Sequence, residues 1–231
     1  MKKRIRHLTV SLFAGLLTAY TGLSSAAPME SVIGLDVHNP GAFMAAVNRY
    51  YQSDDAQGNV TIWAIEFSGT SEVSHLAIAN YGDYADYESD SNARRATPTW
   101  GAFVGSIQDV IDVESRLMAV EQFREGSGWE DHGAMAAFVM TVSDPAKYAA
   151  EFSKLVGSMD NPGSARLMSL RFGGQGATHA ALISAPNITA LNEYLDELFA
   201  SRAYRNFADE VGDIRTIQNV EMLRRVASFG N

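Results

Sequence analysis

Asn39-Pro40-Gly41-Ala42-Phe43 and Asp144-Pro145-Ala146-Lys147-Tyr148 are one helix start written twice, about 105 residues apart. Each supplies a side-chain oxygen to cap the helix and a proline at the first helical position, where its missing N–H costs nothing. The match extends outward in both directions. Ile65-Glu66-Phe67-Ser68-Gly69 lies over Leu170-Arg171-Phe172-Gly173-Gly174. Ser74-His75-Leu76-Ala77-Ile78 lies over Thr178-His179-Ala180-Ala181-Leu182, and Trp100-Gly101-Ala102-Phe103 over Tyr204-Arg205-Asn206-Phe207. Asp109 falls on Asp213 and Met118 on Met222, with one single-residue deletion near 72. Self-similarity at a fixed offset marks a duplicated structural unit.

Each copy reads strand, helix, strand, strand, helix, strand. Val32 to Val37 alternates, then Phe43, Val47 and Tyr50 recur at helical spacing. Tyr148, Phe152 and Leu155 repeat that stripe. Trp63, Ile65 and Phe67 alternate with Ala64 and Glu66, as a half-buried strand does. Gly69 and Gly174 turn the chain. Leu191, Tyr194, Leu195 and Leu198 mark a second helix, for which the first copy offers the more polar Tyr84 to Asn92. Long strands near 113–123 and 217–229 close the copies. The pattern predicts an α+β fold: two tandem ferredoxin-like βαββαβ units packed sheet-to-sheet as an intramolecular pseudo-dimeric α+β barrel. The expected divisions are a signal peptide over 1–27, a first repeat over 28–123, a polar glycine-rich linker over 124–133 and a second repeat over 134–231.

The stretches Thr178-His179-Ala180-Ala181-Leu182-Ile183, Leu191-Asn192-Glu193-Tyr194-Leu195 and Ser201-Arg202-Ala203-Tyr204-Arg205-Asn206-Phe207 resemble the dimeric α+β barrel superfamily. They look most like its stress-responsive and olivetolic acid cyclase-like branch. The resemblance implies a barrel that other members build from two chains and that this duplicated chain builds alone. Cyclase-like members keep an acid/base histidine where Trp100 and Tyr204 fall here, so the resemblance does not carry their proton transfer over. The superfamily also holds cofactor-free monooxygenases, haem-degrading enzymes and chlorite dismutase-like haem proteins, and no motif selects among them.

Strand alternation sorts the side chains between two faces. Ile33, Leu35, Val37, Trp63, Ile65 and Phe67, with Phe138, Met140, Val142, Met168, Leu170 and Phe172, are expected under the helices. The other face then looks into the barrel with Asp36, Glu66 and His75 from the first copy and Thr141, Arg171 and His179 from the second. Glu66 and Arg171 hold equivalent positions with opposite charge and are expected to pair. The candidate ligand-binding residues are His75, His179, Glu66, Arg171 and Asp36, with Trp100 and Tyr204 as aromatic walls. A structural ion pair with two strand-end histidines accounts for the same residues, since buried charges need partners in any case. A metal held by His75, His179 and a carboxylate has legitimate ligand types but no close-spaced motif, and neither a metal nor a cofactor is expected.

Smaller signals divide in the same way. His38, beside a helix cap, reads as an exposed turn residue. Tyr81, Tyr84 and Tyr87, interleaved with acids, read as a solvated helix face or a patch for a cationic partner. Trp129 in the linker either docks on the surface or plugs one barrel end.

The 231 residues are 46% hydrophobic and 19% charged, ordinary for a packed globular chain. Lys2, Lys3, Arg4 and Arg6 precede an apolar run from Leu8 to about Leu23 and the small residues Ser24-Ser25-Ala26-Ala27, the pattern of a cleaved secretory signal. Ser11, Thr18, Tyr20 and Thr21 interrupt the run, which is short for a spanning helix. Export to the periplasm or beyond is therefore expected, without a membrane attachment after cleavage. The chain has 18 Lys+Arg against 27 Asp+Glu. Without the four basic residues of the leader, 14 remain against 27, a net −13. So acidic a protein repels phosphate backbones and anionic lipid. With no cysteine, disulfides and thiolate chemistry are out. The expected function is binding of a small molecule in a partly apolar interior cavity. A cofactor-independent monooxygenase, cyclase or isomerase on an aromatic or polyketide-like substrate, and a non-catalytic structural module, remain open, as does homo-oligomer formation.

Overall fold

A computed structural model describes residues 27–68, 71–126, 129–159 and 163–230. The expected leader therefore lies outside the described residues, apart from Ala27, and so does the Gly69 turn. The first copy runs β1 (Met29–Val37), α1 (Pro40–Tyr51), β2 (Val60–Phe67), β3 (His75–Tyr81), α2 (Tyr84–Arg95), α3 (Pro98–Ile107) and β4 (Ile111–Glu125). The second runs β5 (Ala134–Val142), α4 (Pro145–Val156), β6 (Ser164–Phe172), β7 (His179–Ala185), α5 (Ile188–Ala200), α6 (Arg202–Val211) and β8 (Arg215–Phe229). Each copy thus has three helices where the sequence pattern suggested two. The extra break is capped: the Thr97 hydroxyl accepts from Trp100 N–H at 3.2 Å and the Ser201 hydroxyl from Tyr204 N–H at 2.9 Å. Trp100 and Tyr204 consequently sit in the first turns of new helices rather than the last turns of old ones. The two starts read from the sequence hold, with Asn39 accepting from Ala42 N–H and Asp144 from Lys147 N–H, both at 3.0 Å.

The strands close into one barrel in the order β1-β3-β2-β8-β5-β7-β6-β4. Within a copy the order is that of the ferredoxin-like unit, and every neighbouring pair is antiparallel. The copies share a core across the barrel and are also hydrogen-bonded along both edges, β2 to β8 and β4 to β6. Closure removes the free edges that an open sheet would present. No helix among the described residues is long and apolar enough to cross a membrane.

Both faces of this sheet are buried, and that overturns part of the assignment by alternation. Ile33, Leu35, Val37, Phe138, Met140 and Val142 do lie under the helices. Trp63, Ile65, Met168 and Leu170 instead point into the barrel, and Ile62 and Leu167 take the places beneath the helices. Pairing shows why: Ala64 registers with His75 and His75 with Leu35, so the helix-facing set runs through Ala64, not Trp63. An apolar residue on each side of the strand leaves period-2 reasoning without a polar face to orient it. Phe67 and Phe172, at the strand ends, are 69% and 68% exposed.

The two helical layers differ. In the second copy α4 buries Tyr148, Phe152, Leu155 and Val156, α5 buries Leu191, Tyr194 and Leu198, and α6 buries Phe207 and Val211. In the first, α1 buries Phe43, Ala46, Val47 and Tyr50, α2 buries only Ser91, and α3 buries none of its residues.

Candidate functional site

The residues singled out in the sequence do not converge. Glu66 pairs with Arg224 at 2.6 Å on the outer surface, not with Arg171. Arg171 is exposed, and its charge acts on His179. Asp36, at the end of β1, lies 3.9 Å from His38, whose Nε2 meets Asp112 at 2.9 Å. His38 is an exposed turn residue, as read. Tyr204 packs edge-on against Phe199 at 4.9 Å within the filled second layer. Of the seven, Trp100 alone lines either of the two cavities described below. No cluster of three or more His, Cys, Asp or Glu suited to a metal occurs among the described residues.

The two histidines share a structural arrangement. Ser74 Oγ accepts from Val37 N–H at 2.8 Å and lies 3.0 Å from His75 Nδ1. Thr178 Oγ1 accepts from Val142 N–H at 2.9 Å and lies 2.8 Å from His179 Nδ1. The hydroxyl relays between a backbone donor and the imidazole, tying the start of β3 to β1 and of β7 to β5. Both rings face the helices, His75 edge-on to Phe43 at 6.3 Å. Burial pushes both pKa values below the ordinary histidine range, helped by Arg224 at His75 and by Arg171 at His179.

One end of the barrel is plugged. Trp129, in a 3-10 turn between the copies, is fully buried and stacks on Trp63 with centroids 6.3 Å apart. Arg166, 2% exposed, lies over the Trp129 ring at 4.0 Å, pairs with Glu30 and comes within 3.6 Å of Glu121. A charge so deep needs such partners. Neither Arg166 nor Glu30 is apparent from the pattern of the sequence, where they are single charges in apolar strands.

Above the plug the barrel holds a cavity of about 790 Å³. Its walls include Val32, Ile78, Leu117, Met135, Met168 and Leu182. Its mouth, at the opposite end from Trp129, is formed by Ser71, Glu72, Glu114, Gln175, Gln218 and Asn219. Glu221 faces inward one step below Asn219, which donates to it from Nδ2 at 2.8 Å. Burial raises the Glu221 carboxyl above the usual carboxylate range, against the lowering effect of that bond.

The second cavity, about 380 Å³, lies between the sheet and the helices of the first copy. Tyr50, Tyr51, Tyr81, Tyr87, Trp100 and Phe103 supply its aromatic walls. Correspondence between the copies explains it. Where α5 buries Leu191, Tyr194 and Leu198, the aligned positions of α2 carry Tyr87, Asp90 and Arg94. Asp90 and Arg94 pair at 2.7 Å, and Tyr81 donates to Asp90 at 2.9 Å and accepts from Arg94 at 2.9 Å. Arg94 also lies 5.2 Å over the Trp100 ring, while its buried Nε has no acceptor among the described residues. The tyrosine run is therefore not one solvated face: Tyr81 is a buried strand residue and Tyr87 packs edge-on to it at 5.3 Å. Burial pushes Tyr81 up to about 12 and raises Tyr50 and Tyr51, so these phenols stay protonated.

No protein-family model matches the chain, and no curated protein does. Solved structures do match in fold. A candidate monooxygenase from Lactobacillus acidophilus aligns over 88% of this chain and 96% of its own, with TM-score 0.61 and 11% identity. An anthrone oxidase-like protein aligns over 89% and 93%, with TM-score 0.57 and 11% identity. A candidate chlorite dismutase aligns over 87% and 96%, with TM-score 0.52 and 11% identity. The fold is that of the dimeric α+β barrel proteins. Fold at this identity says nothing of chemistry. Haem, which the resemblance raises, does not fit the residues present. Among the described residues neither cavity is lined by a histidine, and His179, whose Nε2 has no hydrogen-bond partner among them, lies in the packed second layer.

Proposed function

We propose that this chain is an exported small-molecule-binding protein whose principal site is the aromatic cleft of the first copy. The observation that carries the reading is the asymmetry of the duplication. One copy fills the layer between helices and sheet with Leu191, Tyr194 and Leu198, and the other leaves a cavity of ligand size there. The occupant is a flat, largely apolar molecule with a hydrogen-bond acceptor. Its rings lie among Tyr50, Trp100 and Phe103, and the acceptor meets the guanidinium of Arg94, which lines the cleft. Arg95 and Arg116 at the rim favour an acidic substituent. Among the described residues the cleft is lined by no carboxylate and no imidazole, and Tyr50, Tyr51 and Tyr81 hold their protons. The cleft is thus equipped to bind rather than to move protons, which favours a binder over a cofactor-independent monooxygenase or cyclase.

Titration with 1-anilinonaphthalene-8-sulfonate, an aromatic anion, tests this. The probe should quench tryptophan emission and gain fluorescence on the intact protein. Val104→Trp, which places a bulky side chain into the cleft, should abolish the gain with the thermal midpoint retained. Equal dye binding by that folded variant would overturn the assignment.

A further inference from the structure

The barrel interior is a second cavity, separate from the cleft and opposite to it in charge. We infer that it binds a cationic amphiphile: an apolar chain or ring system carrying a protonated amine.

Shape, wall chemistry and charge point the same way. The barrel is a cup, closed below by Trp63, Trp129 and the Arg166–Glu30 pair and open above. Barrel interiors at this strand number are just wide enough for side chains to fill or to hold one small ligand. Small inward residues, Ala119, Ala137 and Ala180, keep this one unfilled. The volume of about 790 Å³ falls within the range of ligand pockets. Leu117, Leu170, Leu182, Ile78 and Met168 would cover an apolar body.

Among the described residues the lining carries four carboxylates and no lysine or arginine. Glu30 is already matched by Arg166 at the floor. The remaining three, Glu72, Glu114 and Glu221, stand at the mouth or just below it. Carboxylates on the walls of a low-dielectric cleft concentrate field of one sign, and a cation entering it gains from all three. Glu221 breaks the internal symmetry, since the aligned position of the first copy is Leu117. An apolar side chain fits that position in one copy, and the other places there a half-buried carboxylate whose hydrogen bond among the described residues comes from Asn219. A burial cost left uncompensated by a cation in the protein is compensated by one on a ligand. A bare metal ion would not use the apolar walls, and no metal-type cluster is present among the described residues. An anionic or neutral amphiphile would gain nothing from the three carboxylates at the mouth.

Isothermal titration of residues 28–231 with decylammonium, decanol and decanoate at neutral pH and low salt separates the possibilities. With the cleft filled by Val104→Trp, decylammonium should bind at least tenfold more tightly than decanol, with decanoate weakest, and added salt should narrow the gap. Glu221→Gln should lower the affinity for the amine about tenfold and leave that for decanol unchanged. Ala137→Trp, which fills the cup, should abolish binding of both. Val104→Trp, which fills the cleft, should change neither, so failure here and failure of the cleft reading are distinguishable. Decanoate binding as tightly as the amine in Val104→Trp, an unaltered amine affinity in Glu221→Gln, or loss of amine binding in a folded Val104→Trp would each overturn the inference.

Discussion

At the scale of single residues, the two histidines are fastenings. Each Nδ1 takes its place at a hydroxyl that already accepts a backbone N–H, in both copies alike. Their folded pKa values lie below the ordinary 6.5 because burial disfavours the imidazolium. The unfolded chain therefore binds protons that the folded chain refuses, and stability present above pH 6.5 is lost as pH falls through the folded values. Glu221, raised from 4.5, contributes the opposite slope, favouring the fold below its unfolded value and losing that contribution as pH rises through the folded one. The double variant His75→Gln/His179→Gln should accordingly lose less stability than the parent between pH 6.5 and 5. Urea midpoints at the two pH values measure it, and an unchanged slope would remove the histidines from the acid response. The Ser-His and Thr-His repeats were plain in the sequence, but their role was not. A histidine one residue after a hydroxyl looks the same whether it faces a cavity or a helix. Only the register, with Ala64 opposite His75, decides that it faces the helix.

At the scale of elements, the same structural unit is built twice with different completeness. Helix starts were legible because capping chemistry is local: Asn39-Pro40 and Asp144-Pro145 show it without reference to anything distant. The strand faces were not, because Trp63 and Met168 are as apolar as the Ile62 and Leu167 behind them. Which set enters the barrel depends on pairing across the whole sheet. The α3 helix buries none of its residues, whereas α6 is anchored by Phe207 and Val211. Removing a cap costs about 1 kcal/mol of helix stability. In Ser201→Ala that loss should appear in the global unfolding midpoint, because α6 melts with the core. In Thr97→Ala it should appear first as faster amide hydrogen exchange across residues 98–107, with a smaller shift in the midpoint. Equal global shifts in the two variants would show α3 to be as firmly integrated as α6, and the cleft beneath it to be rigid.

At the scale of the molecule, one chain supplies all eight strands of a closed barrel. The duplication was legible from aligned turns and core positions; the seams, β2 with β8 and β4 with β6, were not, since nothing local marks a strand as an edge. A fragment of residues 28–126 would carry β4-β1-β3-β2 with both outer strands unpaired and the face bearing Val32, Ile65 and Leu117 uncovered. It should sediment as a dimer that rebuilds the barrel, or aggregate; a folded, soluble monomer in analytical ultracentrifugation would show that closure is dispensable.

The seam between β2 and β8 joins residues 60–67 to residues 222–229. A ribosome delivers those partners far apart in time. Without the second copy β2 has no partner on that side, and the stave that shuts the barrel is the last of the eight in chain order. Pairings so distant along the chain form slowly and leave sticky intermediates. Until β8 docks, the β2 edge is free to take a strand from another copy in its place.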